Sequence, residues 1–366
     1  MPMMTPRENV MSLYKRQGYE TAPVHFNLCD FLENVFAQRY PDRGPYCEVF
    51  EFPMRMIVDP GFPWIAAVPG FVPERTWDWD LYYDPPIAPD ARIDIWGTAH
   101  EPGGEHCYHM THMRHPLERL DSLEQLQAYP WPAFDQADWS YLEAEVRSIH
   151  EQGCAAQVWM ECTIWETAWY LRRMDILMAE MALGDEKAVF LLDTITDLAC
   201  LRARRFAEAG VDILALGDDV GMQQTTMMSQ SMYRDWLKPR LAKVIAAARA
   251  ANPGVVVQYH SCGYVTPLIG DFIEAGIDVL NPVQPECMEF EDIHEAFGDR
   301  LAFNGTIGTQ SLMPFGTPDE IRRAVFDHLS IAGDRGGLLC CPTHMLEPEV
   351  PWQNVEAYVQ ACRDFR

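Results

Sequence analysis

Two residues able to bind a metal stand two positions apart in the stretch Y-H-S-C-G-Y-V, residues 259–265, directly after the apolar run V-V-V-Q. Side chains at i and i+2 of a strand share a face, so His260 and Cys262 point the same way. Imidazole and thiolate together suit borderline-soft Zn²⁺, and a third ligand would leave a fourth place open to substrate or a carboxylate. C-C-P-T-H (340–344) ends another apolar run and offers His344, with Cys341 or Cys340 as thiol substitutes. Neighbouring strand residues face opposite ways, so only one of those two cysteines could reach a common point.

Carboxylates end other apolar runs. Glu161 closes V-W-M-E, and a charge on so apolar a segment needs a partner, which makes it a candidate fourth ligand. Glu166 falls on the helix that follows. Asp218 and Asp219 in L-G-D-D-V-G have two readings: turn and helix-start residues, because Asp favours caps, or acids that hold a substrate or take up a proton, one with a raised pKa. The segment H-C-Y-H-M-T-H-M-R-H carries His106, His109, His112 and His115. A spacing of three alternates faces on a strand, so a partly exposed hairpin edge explains these four better than a metal site does.

The elements that must position these groups form a β-α alternation from about residue 154. Strands are expected over 154–162, 211–219, 255–263, 279–284, 301–307 and 337–344. Helices are expected between them, near 165–208, 229–251, 265–275, 291–297 and from 318. This is the pattern of a parallel sheet, and a polar residue at every strand end predicts one shared mouth, as in a closed (β/α)₈ TIM barrel. The first 150 residues are less regular. A-P-V-H-F-N-L (22–28) reads as the first barrel strand, 40–130 shows no clean helical period, and E-P-G-G-E (101–105) suggests a β-hairpin excursion. No repeat, low-complexity tract or long linker interrupts the chain, so residues 1–366 read as a single domain.

Composition narrows the function. A formal net charge of −26 would repel DNA or RNA over most of the surface. The apolar runs are too short to cross a bilayer, and M-P-M-M-T-P-R-E-N-V lacks the layout of a signal peptide. Eleven cysteines, an odd number, fit a reducing compartment better than a disulfide framework. The expectation is a soluble, cytoplasmic protein.

D-I-W-G (94–97), H-P-L (115–117), Y-P-W-P (129–132), Y-H-S-C-G (259–263), G-I-D-V-L-N-P-V-Q (276–284) and P-T-H-M-L-E-P-E-V-P-W-Q-N (342–354), in this order, resemble the uroporphyrinogen decarboxylase superfamily. The branch they look most like contains corrinoid-dependent methyltransferases. That resemblance implies a (β/α)₈ barrel with zinc held by an H-x-C motif and a distant cysteine. His260 and Cys262 match the motif, and His344 falls where the distant cysteine would stand. It further implies methyl transfer between a small donor or acceptor, a methoxylated aromatic or a thiol, and a corrinoid (cobalamin). No cobalamin-binding D-x-H-x-x-G module occurs in this sequence, so the corrinoid would arrive on a partner protein. The N-terminal arginine signature of true uroporphyrinogen decarboxylases is reduced to K-R-Q-G-Y-E with Arg16, which argues against that substrate. The alternatives are a decarboxylase or lyase acting on a small acid or tetrapyrrole, and a non-catalytic tetrapyrrole- or corrinoid-binding barrel.

Overall fold

The computed structural model describes residues 3–62, 81–104 and 111–365. Among them run ten strands: β1 (Met54–Ile57), β2 (Arg92–Ile93), β3 (Ala99–Pro102), β4 (Thr111–Arg114), β5 (Ala155–Glu161), β6 (Ile213–Gly217), β7 (Val256–His260), β8 (Val279–Asn281), β9 (Ala302–Asn304) and β10 (Leu338–Leu339). A curled sheet of seven strands takes the order β1-β5-β6-β7-β8-β9-β10, and every pairing in it is parallel. This is a barrel of the TIM type. The segment 22–28 lies where the first strand was expected, but it forms no ladder. It meets the chain beyond β10 through one parallel bridge, Leu28 to Leu346, with Leu346 N–H donating to Asn27 O at 2.8 Å and Cys29 N–H to Leu346 O at 3.0 Å.

Between strands, amphipathic helices cover the outer face. Glu186–Glu208 starts at Asp185, whose carboxylate accepts from Lys187 N, and buries Leu191, Leu192, Ile195, Ala199, Ala203 and Phe206. From Leu192 on, those positions recur every three or four residues, which is why this stretch is a helix and why one stripe faces the sheet. Replacing fully buried Phe206 by Ala would cost about 3–5 kcal/mol. Pro318–Ala332 is set by a capping box between Thr317 and Glu320.

Strand alternation fixes what faces inward. Glu161 pairs with Gly217, Gly217 with His260, and His260 with Asn281, so these four positions form one layer at the carboxyl ends of β5 to β8. Gly217 is required there. A Cβ on it would stand 2.6 Å from His260 Cβ and 3.0 Å from Glu161 Cγ.

The irregular N-terminal part contributes a small antiparallel sheet, β2-β3-β4, in which Pro102 pairs with Thr111, so the expected hairpin excursion is present. No described helix is long and apolar enough to cross a membrane.

Candidate metal centre

His260 ends β7, and Cys262 follows two residues on, its Sγ 3.5 Å from His260 Nε2. The other ring nitrogen, Nδ1, lies 2.6 Å from Asn281 Oδ1. The orientation of Asn281 follows from its opposite end, which donates to Asn304 O at 2.8 Å, and a backbone carbonyl can only accept. Asn281 therefore presents oxygen to His260, Nδ1 carries the proton, and Nε2 turns its lone pair toward Cys262. Asn304 is held in turn. Its Nδ2 donates to Tyr14 Oη at 2.8 Å and Gln258 Oε1 at 2.9 Å, and Cys341 Sγ donates to its Oδ1 at 3.1 Å.

Asp219 supplies a third donor. Its Oδ1 accepts from Cys262 N at 2.7 Å and lies 3.6 Å from His260 Nε2. One donor atom each from Asp219, His260 and Cys262 lie within 4.8 Å of one another. The turn after β6 is brought to this point by close backbone packing: a Cβ at Gly221 would overlap Cys262 O, and one at Gly263 would stand 2.7 Å from Met222 O.

Acids gather on the β5 side. Glu166 Oε2 accepts from Asp219 N at 3.0 Å, and Oε1 accepts from Tyr170 Oη at 2.9 Å. Glu161 Oε1 is buried, has no hydrogen-bond partner among the described residues and lies 3.6 Å from His260 Nδ1. Among the described residues, neither Glu161, Glu166 nor Asp219 has an ion pair with Lys or Arg. Burial first, and then the negative charge of Glu166 and Asp219, pushes Glu161 well above the usual carboxyl range. Burial, Asp219 and Asp218 do the same to Glu166. The Cys262 thiol is raised by burial, then by Asp219, Glu161 and Glu166.

The neighbouring acid, Asp218, faces elsewhere. It is buried and accepts from Ile164 N at 3.1 Å and Glu166 N at 2.9 Å, capping the start of the helix Trp165–Arg172. Burial lifts its pKa to about 7, against the pull of those backbone N–H groups. His344 is exposed and stands apart from the Asp219–His260–Cys262 trio, though it lines with Cys262, Gln284, Thr309, Gln310 and Thr343 a cavity of about 310 Å³. Cys340 and Cys341 are both buried and point apart, Cys341 to Asn304 and Cys340 to Thr306 Oγ1 at 3.7 Å. Of the histidine-rich segment, His106 and His109 lie outside the described residues. His112 is exposed on β4, and His115 Nδ1 contacts Tyr170 O at 2.7 Å.

The trio fits zinc by its chemistry: a carboxylate oxygen, a neutral imidazole nitrogen whose tautomer is fixed, and a sulfur. Ionised Asp219 and Cys262 would balance a divalent charge, and that charge would offset the burial and like-charge repulsion that raise Glu161, Glu166 and Cys262. Glu166, Asn281 and Tyr170 were missed as site residues in the sequence. Glu166 had one signal, its place in the first turn of a helix that follows a strand ending in Glu161.

Residues 160–365 match the family model described as uroporphyrinogen decarboxylase (URO-D). Over 174 residues the chain is 27% identical to the methylcobamide:CoM methyltransferase MtaA of Methanosarcina barkeri, a stretch covering 48% of each protein. It is 26% identical over 187 residues to a methylated-thiol–coenzyme M methyltransferase of Methanosarcina mazei, 49% of this chain and 45% of that one. Against a uroporphyrinogen decarboxylase of Coxiella burnetii the identity is 24% over 191 residues, 52% of this chain and 51% of the relative. The chain thus spans about half the length of the curated relatives it matches. A solved structure of a methyltransferase from Methanosarcina mazei superposes over 98% of both chains with a TM-score of 0.64 at 19% identity, a likeness of fold.

Proposed function

The chain belongs to the uroporphyrinogen decarboxylase family, and on that premise we propose that it is a zinc-dependent methyltransferase moving a methyl group between a small substrate, a methoxylated aromatic or a thiol, and a corrinoid carried on a partner protein. The observation that carries this reading is the convergence of Asp219 Oδ1, His260 Nε2 and Cys262 Sγ at the barrel mouth. Similarity to two methyltransferases across about half of their length supports the reaction class.

Zinc, when bound, supplies a Lewis acid that lets a substrate oxygen or sulfur leave or attack as an anion at neutral pH. The chain's own residues divide the remaining work. His260 is a neutral ligand held in one tautomer by Asn281, while Cys262 and Asp219 bring the negative charge. Glu161 would take the fourth position or hold a proton for the substrate heteroatom; its buried oxygen 3.6 Å from His260 Nδ1, without a hydrogen-bond partner among the described residues, supports this role. Asp218 is a positioning residue: by capping the helix Trp165–Arg172 it sets Glu166, which fixes the Asp219 backbone. His344 borders the cavity next to Cys262, where it would contact substrate.

The test uses zinc-loaded protein in both directions. Methylcobalamin is offered with a panel of thiols, and reduced cobalamin with methoxyaromatics and methyl thioethers, each with and without a candidate corrinoid protein, following the cobalamin absorbance. Methyl transfer that disappears on chelation is expected. Silence in every combination, together with zinc-independent decarboxylation of a small acid, would contradict the assignment.

A further inference from the structure

Gln157, Trp159 and Glu161 occupy alternate positions of β5 and so share the face that Glu161 turns toward His260. Each has a buried polar atom without a hydrogen-bond partner among the described residues: Gln157 Oε1, Trp159 Nε1 and Glu161 Oε1. Gln157 is 4% exposed and Glu161 9%, so solvent does not satisfy them. Buried polar atoms are nearly always paired, and three orphans on one strand face, about 7 Å apart step by step, form a row that lacks its complement.

Side chains beside the row are incompletely covered by the described residues. Met56 pairs with Gln157 across the parallel β1–β5 ladder and points to the same face, yet it is 39% exposed despite its place on a barrel strand. Trp159 is itself only half-buried, so an indole and a thioether both present surface that the described residues leave partly uncovered. On the other side of Glu161, Ala215 and Gly217 pair with Trp159 and Glu161 and add no bulk.

Resting on the methyltransferase reading, we infer that this β5 face binds the body of the methylated substrate, and that the substrate is a flat, uncharged, hydrogen-bonding molecule, not an anion. The indole and thioether offer a stacking surface. Trp159 N–H would donate to a substrate oxygen, and Gln157 Oε1 would accept from a hydroxyl. Glu161 and Glu166 have no Lys or Arg ion pair among the described residues, so no described cation stands at this place to receive a carboxylate or sulfonate.

The experiment is calorimetric titration of the full-length, zinc-loaded protein with guaiacol, with vanillate (the same ring bearing a carboxylate) and with 2-mercaptoethanesulfonate. Guaiacol is expected to bind, and vanillate and the sulfonate to bind at least about tenfold more weakly. Trp159→Leu should weaken guaiacol about tenfold through loss of stacking and one hydrogen bond, and Gln157→Leu severalfold, with zinc content unchanged. Trp159→Phe, which keeps the ring and removes the N–H, should fall between wild type and Trp159→Leu and decides the matter should Trp159→Leu fail to fold. The inference is overturned when guaiacol gives no heat, when vanillate binds as well, or when the variants bind like wild type; orphans satisfied by water alone would give that last result. Methyl transfer is measured on the same preparation. Guaiacol bound at β5 without methyl transfer would sink the proposed activity and spare this site, whereas methyl transfer to or from a thiol without guaiacol binding would do the reverse.

Discussion

Two buried acidic groups stand at the carboxyl side of the same barrel, and only one has its counterion. Asp59, beyond β1, contacts the Arg202 guanidinium, and both side chains are essentially inaccessible. Burial pushes the Asp59 carboxyl up and Arg202 pulls it back, so the fixed charge of the guanidinium offsets part of the cost of burial. The rings of Trp96 and Phe134 cover that guanidinium at 5.5 and 5.2 Å. Beyond β5 and β6, Glu161, Glu166 and Asp219 are packed together with no such cation among the described residues. Where the acid serves the fold, the chain supplies the positive charge itself. Where it serves the proposed chemistry, that charge has to come from outside.

Breaking the compensated side should give the largest effect on the fold. Asp59→Ala leaves a buried guanidinium unpaired and should cost about 3–5 kcal/mol, read as a fall in Tm, while the folded fraction keeps wild-type zinc per chain. Zinc loss in proportion to the stability loss would mean that the two acidic sites are not independent.

The next effect lies on the neutral side of the trio. Asn281→Leu frees the His260 tautomer and should weaken zinc about 10–100-fold in a chelator competition, whereas Asn281→Asp, which still accepts from Nδ1, should retain most of the affinity. Equal loss in both variants would assign Asn281 to packing alone.

A smaller effect is expected for Glu166→Gln. Removing one of several like charges should raise the Tm of zinc-free protein slightly at neutral pH and weaken zinc severalfold, since Asp219 keeps a hydrogen-bond acceptor but loses a negative neighbour. A zinc-free protein that is destabilised by this substitution would show that Glu166 is neutral and structural.

The same contrast explains how far the sequence could be read. The stretch from β5 to β10 was legible because helix and strand periods alternate there and each buried strand ends in a polar group. His260 and Cys262 face the same way because their spacing demands it. The segment 22–28 was legible as extended, but nothing in its composition says that it is held by one bridge at Leu28. Asp219 entered as one of two equivalent acids. Its separation from Asp218 depends on tertiary contacts: Asp218 is taken up by the helix start at Ile164 and Glu166, and Asp219 by the Cys262 N–H. His344 was picked by its place in a motif, yet three-dimensional packing puts Asp219 closer to His260 and Cys262. The pairing of Asp59 with Arg202, 143 positions apart, left no trace in either local sequence.

The central claim is that the uncompensated cluster binds zinc, and metal content tests it most directly. Wild-type protein, purified without a His-tag and dialysed against a weak chelator, should contain about one zinc per chain by elemental analysis, and Cys262→Ser should lose most of it while keeping the wild-type circular dichroism spectrum. Full zinc occupancy in Cys262→Ser, or none in the wild type after loading with excess zinc, would contradict the account.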